Sequence, residues 1–224
     1  MPQSAVPVAG TAPELDFAIE DAGVLEHAAA PTLRLGLKIT SRGAVPVRSV
    51  ALDVQVRIAA TKRPYDAEAQ ERLIEVFGQP DQWTRSLRSL HWCNVTLHVP
   101  GFRESALVDL PLACTYDFDV TISKYFHALR DGEVPLELLF GGTVFYAGAD
   151  GRLQVGRIGW EKDAEFRLPV SVWDEMMDRY FPNSAWLRLR RDHFDRLYSY
   201  KASGGHLTWE HAIDALLRDA GEQR

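Results

Sequence analysis

The chain has 224 residues, is 46% hydrophobic and 25% charged, and carries a net charge of −6 with only two cysteines, Cys93 and Cys114. That composition suits one large globular domain or one domain with a small appendage. It excludes a disulfide-stapled scaffold and a surface that binds nucleic acid or anionic membrane over its whole extent.

The first segment, "MPQSAVPVAGTAP", lacks the basic and apolar regions of a secretory signal, and its small residues and prolines predict a disordered leader over 1–13. No apolar run approaches the roughly 18–20 residues of a membrane helix, and the low cysteine count favours a reduced, cytoplasmic setting. Order begins at "ELDFAIE", where Leu15, Phe17 and Ile19 alternate with charged or small neighbours. The same period of two recurs in "TLRLGLKIT" and in "SVALDVQVRIA", where Leu52, Val54, Val56 and Ile58 face in and Asp53, Gln55 and Arg57 face out. Strands with one wet face belong to antiparallel sheets.

A helix is predicted in "YDAEAQERLIEVFG", with Ala69, Leu73, Val76 and Phe77 on one stripe and Gly78 as the stop. Strands resume in "HWCNVTLHV" and "SALVDLPLACTYDFDV", where Pro111 demands an edge or a bend. "SKYFHALRDG" predicts a short helix capped by Ser123 and ended by Gly132. "VPLELLFGGTVFYAG" and "RLQVGRI" flank a hairpin turn at Asp150 and Gly151.

After about residue 165 the period changes to 3.6. Pro169 and Ser171 open a helix that Pro182 closes. A second runs from about Arg191 to Ala202 and ends at Gly204 and Gly205. Thr208 caps a third, whose apolar face is Trp209, Ala212, Ile213, Leu216 and Leu217. The expected fold is α+β: an antiparallel β-sandwich over 14–168 with short crossover helices, and a C-terminal helical subdomain over 169–224 packed on it.

Four groups of residues invite a functional reading. Residues 179–201 carry Arg179, Arg188, Arg190, Arg191, Arg196 and Lys201 against Asp192 and Asp195, a local charge of +4. Phe194, Leu197, Tyr198 and Lys201 follow helical spacing, however, and Asp192–Arg196 and Arg191–Asp195 are positioned to pair at i, i+4. A packed aromatic stripe under a solvated charged face is therefore expected, with Tyr180, Phe181, Trp186 and Leu189 also buried; a partner surface is the next reading. His91 and Cys93 share a strand face under strict alternation, and Cys114 could join them from a neighbouring strand. No CxxC or HExxH accompanies them, so the expectation is reduced, buried, metal-free cysteines. The glycines of "FGGTVFYAGADG" match no phosphate-loop pattern. Asp117 and Asp119 alternate outward and read as solvated carboxylates. The tryptophans, Trp83, Trp92, Trp160, Trp173, Trp186 and Trp209, read mainly as packing anchors.

"YFPNSAWLRLRRDHFDRLYSYKASGGHLTWEHAIDALL", "LPVSVWDEMMDRYFP" before it and "GEVPLELLFGGTVFY" upstream together resemble an uncharacterised actinobacterial family, a domain of unknown function, over nearly the whole chain after the leader. Genes of that family often lie beside those of nickel–iron hydrogenases. The resemblance implies an accessory role near such a system and carries no catalytic residues; the lack of a Cys-rich motif argues against an iron–sulfur carrier. The leading expectation is a cytoplasmic, non-enzymatic protein that binds a protein partner, with no nucleic acid, no membrane insertion and no assigned catalytic, cofactor or metal residue. The alternative is an enzyme or small-ligand-binding protein with its site between sandwich and helices, using His91, Cys93, Asp117 or His127.

Overall fold

The computed structural model describes residues 12–43, 45–114, 120–184 and 189–221, with the side chains of Val120 and Trp160 outside that description. Most of the expected leader, Asp117, Asp119 and Trp186 fall outside the described residues.

Strands β1 (Glu14–Val24), β2 (Thr32–Arg42) and β5 (Ser105–Ala113) form one sheet in the order β1-β2-β5. Strands β3 (Val47–Ile58), β4 (Leu90–Phe102), β6 (Glu133–Ala147) and β7 (Leu153–Pro169) form the other, in the order β4-β3-β6-β7. Every pairing is antiparallel. The alternation seen in the sequence becomes two inner faces: Leu33, Leu35, Leu37 and Ile39 oppose Leu52, Val54, Val56 and Ile58, and all are fully buried or nearly so. Each such side chain contributes roughly 1.5–3 kcal/mol by leaving water. Phe17 of β1 stacks on Phe140 of β6 at 4.3 Å, tying the sheets together through the core.

Pro111 lies on β5, an edge strand, opposite Arg34, where its missing donor costs no ladder bond. The turn at Asp150 and Gly151 forms as the sequence predicts. Gly151 has φ 74°, and the Asp150 carboxylate accepts from the Arg152 amide at 3.0 Å. Strand β7 runs well past the expected "RLQVGRI", to Pro169, because Ala164, Phe166 and Leu168 keep the inward phase between charged outward neighbours.

The helix predicted before Gly78 is broken in two, α1 (Ala67–Arg72) and α2 (Ile74–Phe77), at the fully buried Leu73; Asp66 caps α1 by accepting from the Ala69 amide. A further short helix, α3 (Trp83–Ser86), follows. Helix α4 (Val120–Ala128) begins before Ser123, which is therefore interior and not its cap. Ile122, Tyr125 and Phe126, spaced i, i+3, i+4 and buried, hold that earlier turn in the helix.

Helix α5 (Val170–Tyr180) buries Val170, Trp173 and Met176 in the sandwich core. The chain accordingly divides into compact units between Pro182 and Asn183, not at residue 169. The second unit holds α6 (Arg191–Ser203) and α7 (Trp209–Gly221), with Thr208 accepting from the His211 amide at the start of α7. No described helix is long and apolar enough to cross a membrane.

Candidate functional site

The two sides of the sandwich differ. Where β1 meets β7, Lys162 pairs with Glu14 at 3.0 Å and with Asp16 at 3.7 Å, closing the seam. Between the opposite edges, β4 and β5, there is a cavity of about 740 Å³. Its walls come from Trp92, Cys93 and Val95 of β4, Pro111 and Ala113 of β5, Cys114 just beyond it, Ile122 and Ser123 of α4, and Trp173 of α5. Three rings line or support its inner wall: Phe126 stacks on Trp173 at 4.3 Å, and Trp92 lies 5.4 Å from Phe126 and 6.3 Å from Trp173.

Both cysteines reach this cavity, and they form no disulfide. His91 does not take the face that strict alternation gives it. Val56 pairs with Cys93 and Arg57 pairs with His91, so Trp92 is an extra residue in the β4 ladder. That bulge shifts the phase by one. Cys93 stays on the inner face with Trp92, while His91 is exposed beside Arg57 at the rim. Among the described residues no three His, Cys, Asp or Glu side chains come close enough to share a metal ion.

The chemistry open to the cavity is correspondingly limited. No Asp, Glu, Lys or Arg is among its described lining residues. Burial, helped by the nearby Cys93, pushes the Cys114 thiol up to about 12, against a weaker opposing hydrogen bond from the Leu33 backbone. A thiol held neutral in this way is a poor nucleophile and a poor metal ligand. Asn94, Thr96 and Ser123 supply hydrogen-bonding groups at its margin. His127 lies outside it, exposed on α4 near Asp174, whose carboxyl is held up by burial and by the neighbouring Asp178.

A second cavity, of about 760 Å³, is polar. It is lined by Arg63, Arg72, Arg130 and Arg167 and by Asp66, Glu68, Asp131 and Glu133. Much of this charge is already engaged. Arg63 donates to the Asp131 and Glu133 carbonyls at 2.7 Å, and Glu68 pairs with both Arg72 and Arg130. Its neighbours Tyr65 and Tyr125 share a hydroxyl–hydroxyl bond of 2.7 Å, and burial raises both phenols well above their usual range.

The basic–aromatic stretch departs most from expectation. Helix α6 buries no residue: Phe194 is 44% and Tyr198 57% exposed, and their ring partner is Trp209 of α7, at 5.6 and 6.1 Å. Lys201 lies over the same Trp209 ring at 5.5 Å. The expected i, i+4 pairs do not form. Asp192 is instead taken by the capping residue Arg190 at 2.8 Å and by His193 at 3.2 Å. On α7 only Ala212 is buried, while Leu216 and Leu217 stay exposed. His206 stacks on Tyr200 and His211 is exposed.

A family model of unknown function, DUF6084, matches residues 12–224. The chain belongs to that family. The match takes in both the cavity and the α6–α7 hairpin, so DUF6084 membership covers each candidate surface but assigns a role to neither. No curated protein matches the chain. Among solved structures, it is similar to the CARDB domain of the PF1109 protein from Pyrococcus furiosus, in complex with di-metal ions, at 12% identity and a TM-score of 0.28 over 70% of this chain and 91% of that one. It is similar to Spo0M, a sporulation control protein from Bacillus subtilis, at 10% identity and a TM-score of 0.27 over 69% of this chain and 48% of that one. A beta-glucosidase from Kluyveromyces marxianus matches at 12% identity and a TM-score of 0.26 over 70% of this chain and only 15% of its own length. Likeness at this level carries no functional argument for a DUF6084 chain.

Proposed function

We propose that this DUF6084 protein is a non-enzymatic accessory protein that works by docking to other protein surfaces through its α6–α7 hairpin. The observation that carries this reading is the apolar surface the hairpin leaves uncovered: Phe194, Tyr198, Leu207, Ile213, Leu216 and Leu217 are each more than a third exposed. Large apolar and aromatic side chains gathered on one exposed element are the usual composition of a docking surface. The cavity between β4 and β5 supports enzymatic work less well, because its ionisable lining residues are His91 and two cysteines, one of them held as a neutral thiol, with no carboxylate or permanent cation beside them among the described lining residues. A cytoplasmic setting and a place beside a nickel–iron hydrogenase system belong to the same proposal. They are supported by the low cysteine count and by the family resemblance.

The test is cross-linking mass spectrometry on complexes captured from the native host with the full chain and with Leu216→Asp/Leu217→Asp. Cross-links concentrated on residues 189–221 and loss of partners in the variant are expected. Unchanged capture by the folded variant would refute the hairpin as the docking surface. A second reading, a small uncharged ligand in the β4–β5 cavity, is favoured by its aromatic wall. Native mass spectrometry of the purified protein would show a stoichiometric non-protein mass if that reading held.

A further inference from the structure

The hairpin surface has an internal complementarity that names an occupant. Helix α6 and its capping residue carry Arg190, Arg191, Arg196 and Lys201 against Asp192 and Asp195, a net charge of +2. Helix α7 carries Glu210, Asp214 and Asp219 against Arg218, a net charge of −2. Position around each helix sharpens the contrast. On α6 the stripe is Phe194, Leu197, Tyr198 and Lys201, and at 100° per residue Arg190 and Arg191 lie on its two borders. On α7 the stripe is Trp209, Ile213, Leu216 and Leu217, bordered on one side by Glu210 and Asp214. Among the described residues neither the Arg191 guanidinium nor the Asp214 carboxylate has an ion-pair partner, while Arg190 is drawn to Asp192. One helix thus offers aromatic rings edged with cations, and the other offers aliphatic side chains edged with anions.

We propose that the α6–α7 hairpin docks onto the α6–α7 hairpin of a second copy of this chain, α6 of each copy against α7 of the other. This rests on the reading of the hairpin as the docking surface and names what it binds first. A two-fold arrangement brings each contact in twice, so the Arg191–Asp214 attraction and the burial of Leu216 and Leu217 under Phe194 and Tyr198 are both doubled. Four helices packed this way bury what the Phe194–Trp209 and Tyr198–Trp209 contacts within one hairpin leave exposed, the geometry by which helix pairs complete a bundle. The hairpin's size points the same way. A unit spanning Asn183–Arg224, with one buried residue on α7 and none on α6, is close to the roughly 40-residue length under which chains usually need oligomerisation or another staple.

The experiment is sedimentation equilibrium of the full chain over about 1–100 µM, a range that brackets ordinary dimer affinities. A species of twice the 25.2 kDa chain mass is expected. Arg191→Glu, an exposed change that leaves the fold intact by circular dichroism, should weaken association about tenfold or more by setting like charges opposite each other. The double variant Arg191→Glu/Asp214→Arg should restore it, and Leu216→Asp should abolish it. A monomer at every concentration overturns self-docking. If Leu216→Asp/Leu217→Asp still loses a captured partner in that case, the docking reading survives with a different occupant. A dimer indifferent to these substitutions, or one that the double variant fails to restore, overturns the proposed pairing.

Discussion

Cys114 shows how strongly a few neighbours set one group's chemistry. Its thiol ends β5's inward row, donates to the Leu112 carbonyl at 3.2 Å and faces a cavity walled by tryptophan. Burial disfavours the thiolate more than any neighbouring group favours it, so the proton is held up to about pH 12. Alkylation requires the thiolate. Iodoacetamide at pH 8 should therefore label Cys114 at least about tenfold more slowly in the native protein than in urea, where an ordinary thiol pKa near 8.5 returns. Peptide mass mapping reads this site by site. Native labelling as fast as that of the unfolded chain would mean that burial does not hold the Cys114 thiol neutral. The bulge at Trp92 is another effect of one residue. One added position in β4 puts an indole inside and leaves His91 exposed at the rim of the same cavity that Cys93 and Cys114 line. Alternation alone gives no sign of it, because a bulge is a property of the pairing with β3 and not of the β4 sequence.

Among elements, strands β1 to β6 were legible because each has one wet face and one dry face, and the period of two records that directly. The far half of β7 was not. In "EKDAEFR" five of seven residues are charged and Lys162 occupies the inward phase held by Ala164 and Phe166, so too few apolar positions remain to show the alternation. Helix α6 fails differently. Its stripe has the spacing of a buried face, but spacing fixes only which side chains share a face, and says nothing of whether another surface covers it. The two aromatic sets therefore predict opposite mutational responses. Trp173, 6% exposed and stacked on Phe126, should cost about 3–5 kcal/mol when cut to alanine. Phe194→Ala should stay within about 1 kcal/mol, since the residue is already 44% exposed before the change. Urea melts of the two variants at matched, dilute concentration make the comparison. Equal losses would place the α6 stripe in the core after all. The β4–β5 cavity was legible only in parts. Cys93, Cys114 and His91 stood out by residue type, whereas Phe126 and Trp173 join it through crossovers that no local pattern encodes.

At the scale of the whole molecule, charge decides against one class of partner. The chain is net −6, and the acidic residues of α7 offset the arginines of α6. Random-sequence DNA or RNA should give no mobility shift at low micromolar protein and physiological salt, because too few cations are gathered to release a useful number of counterions. A salt-dependent shift would contradict this, and abolition of that shift by Arg191→Glu would redirect attention to α6. The strand order has a consequence for how the protein is made. Strand β3 needs β6 on one side, and β2 needs β5, partners supplied long after each emerges from the ribosome. Strand β2 is flanked on both sides only once β5 has been synthesised to Ala113, and β3 only once β6 has been synthesised to Tyr146. Until then the growing chain carries the apolar segments "TLRLGLKI" and "VALDVQVRI" with at least one sheet edge unpaired. The helical hairpin follows the sandwich strands in the chain, so any assembly built on it begins only after the sandwich has had its chance to close.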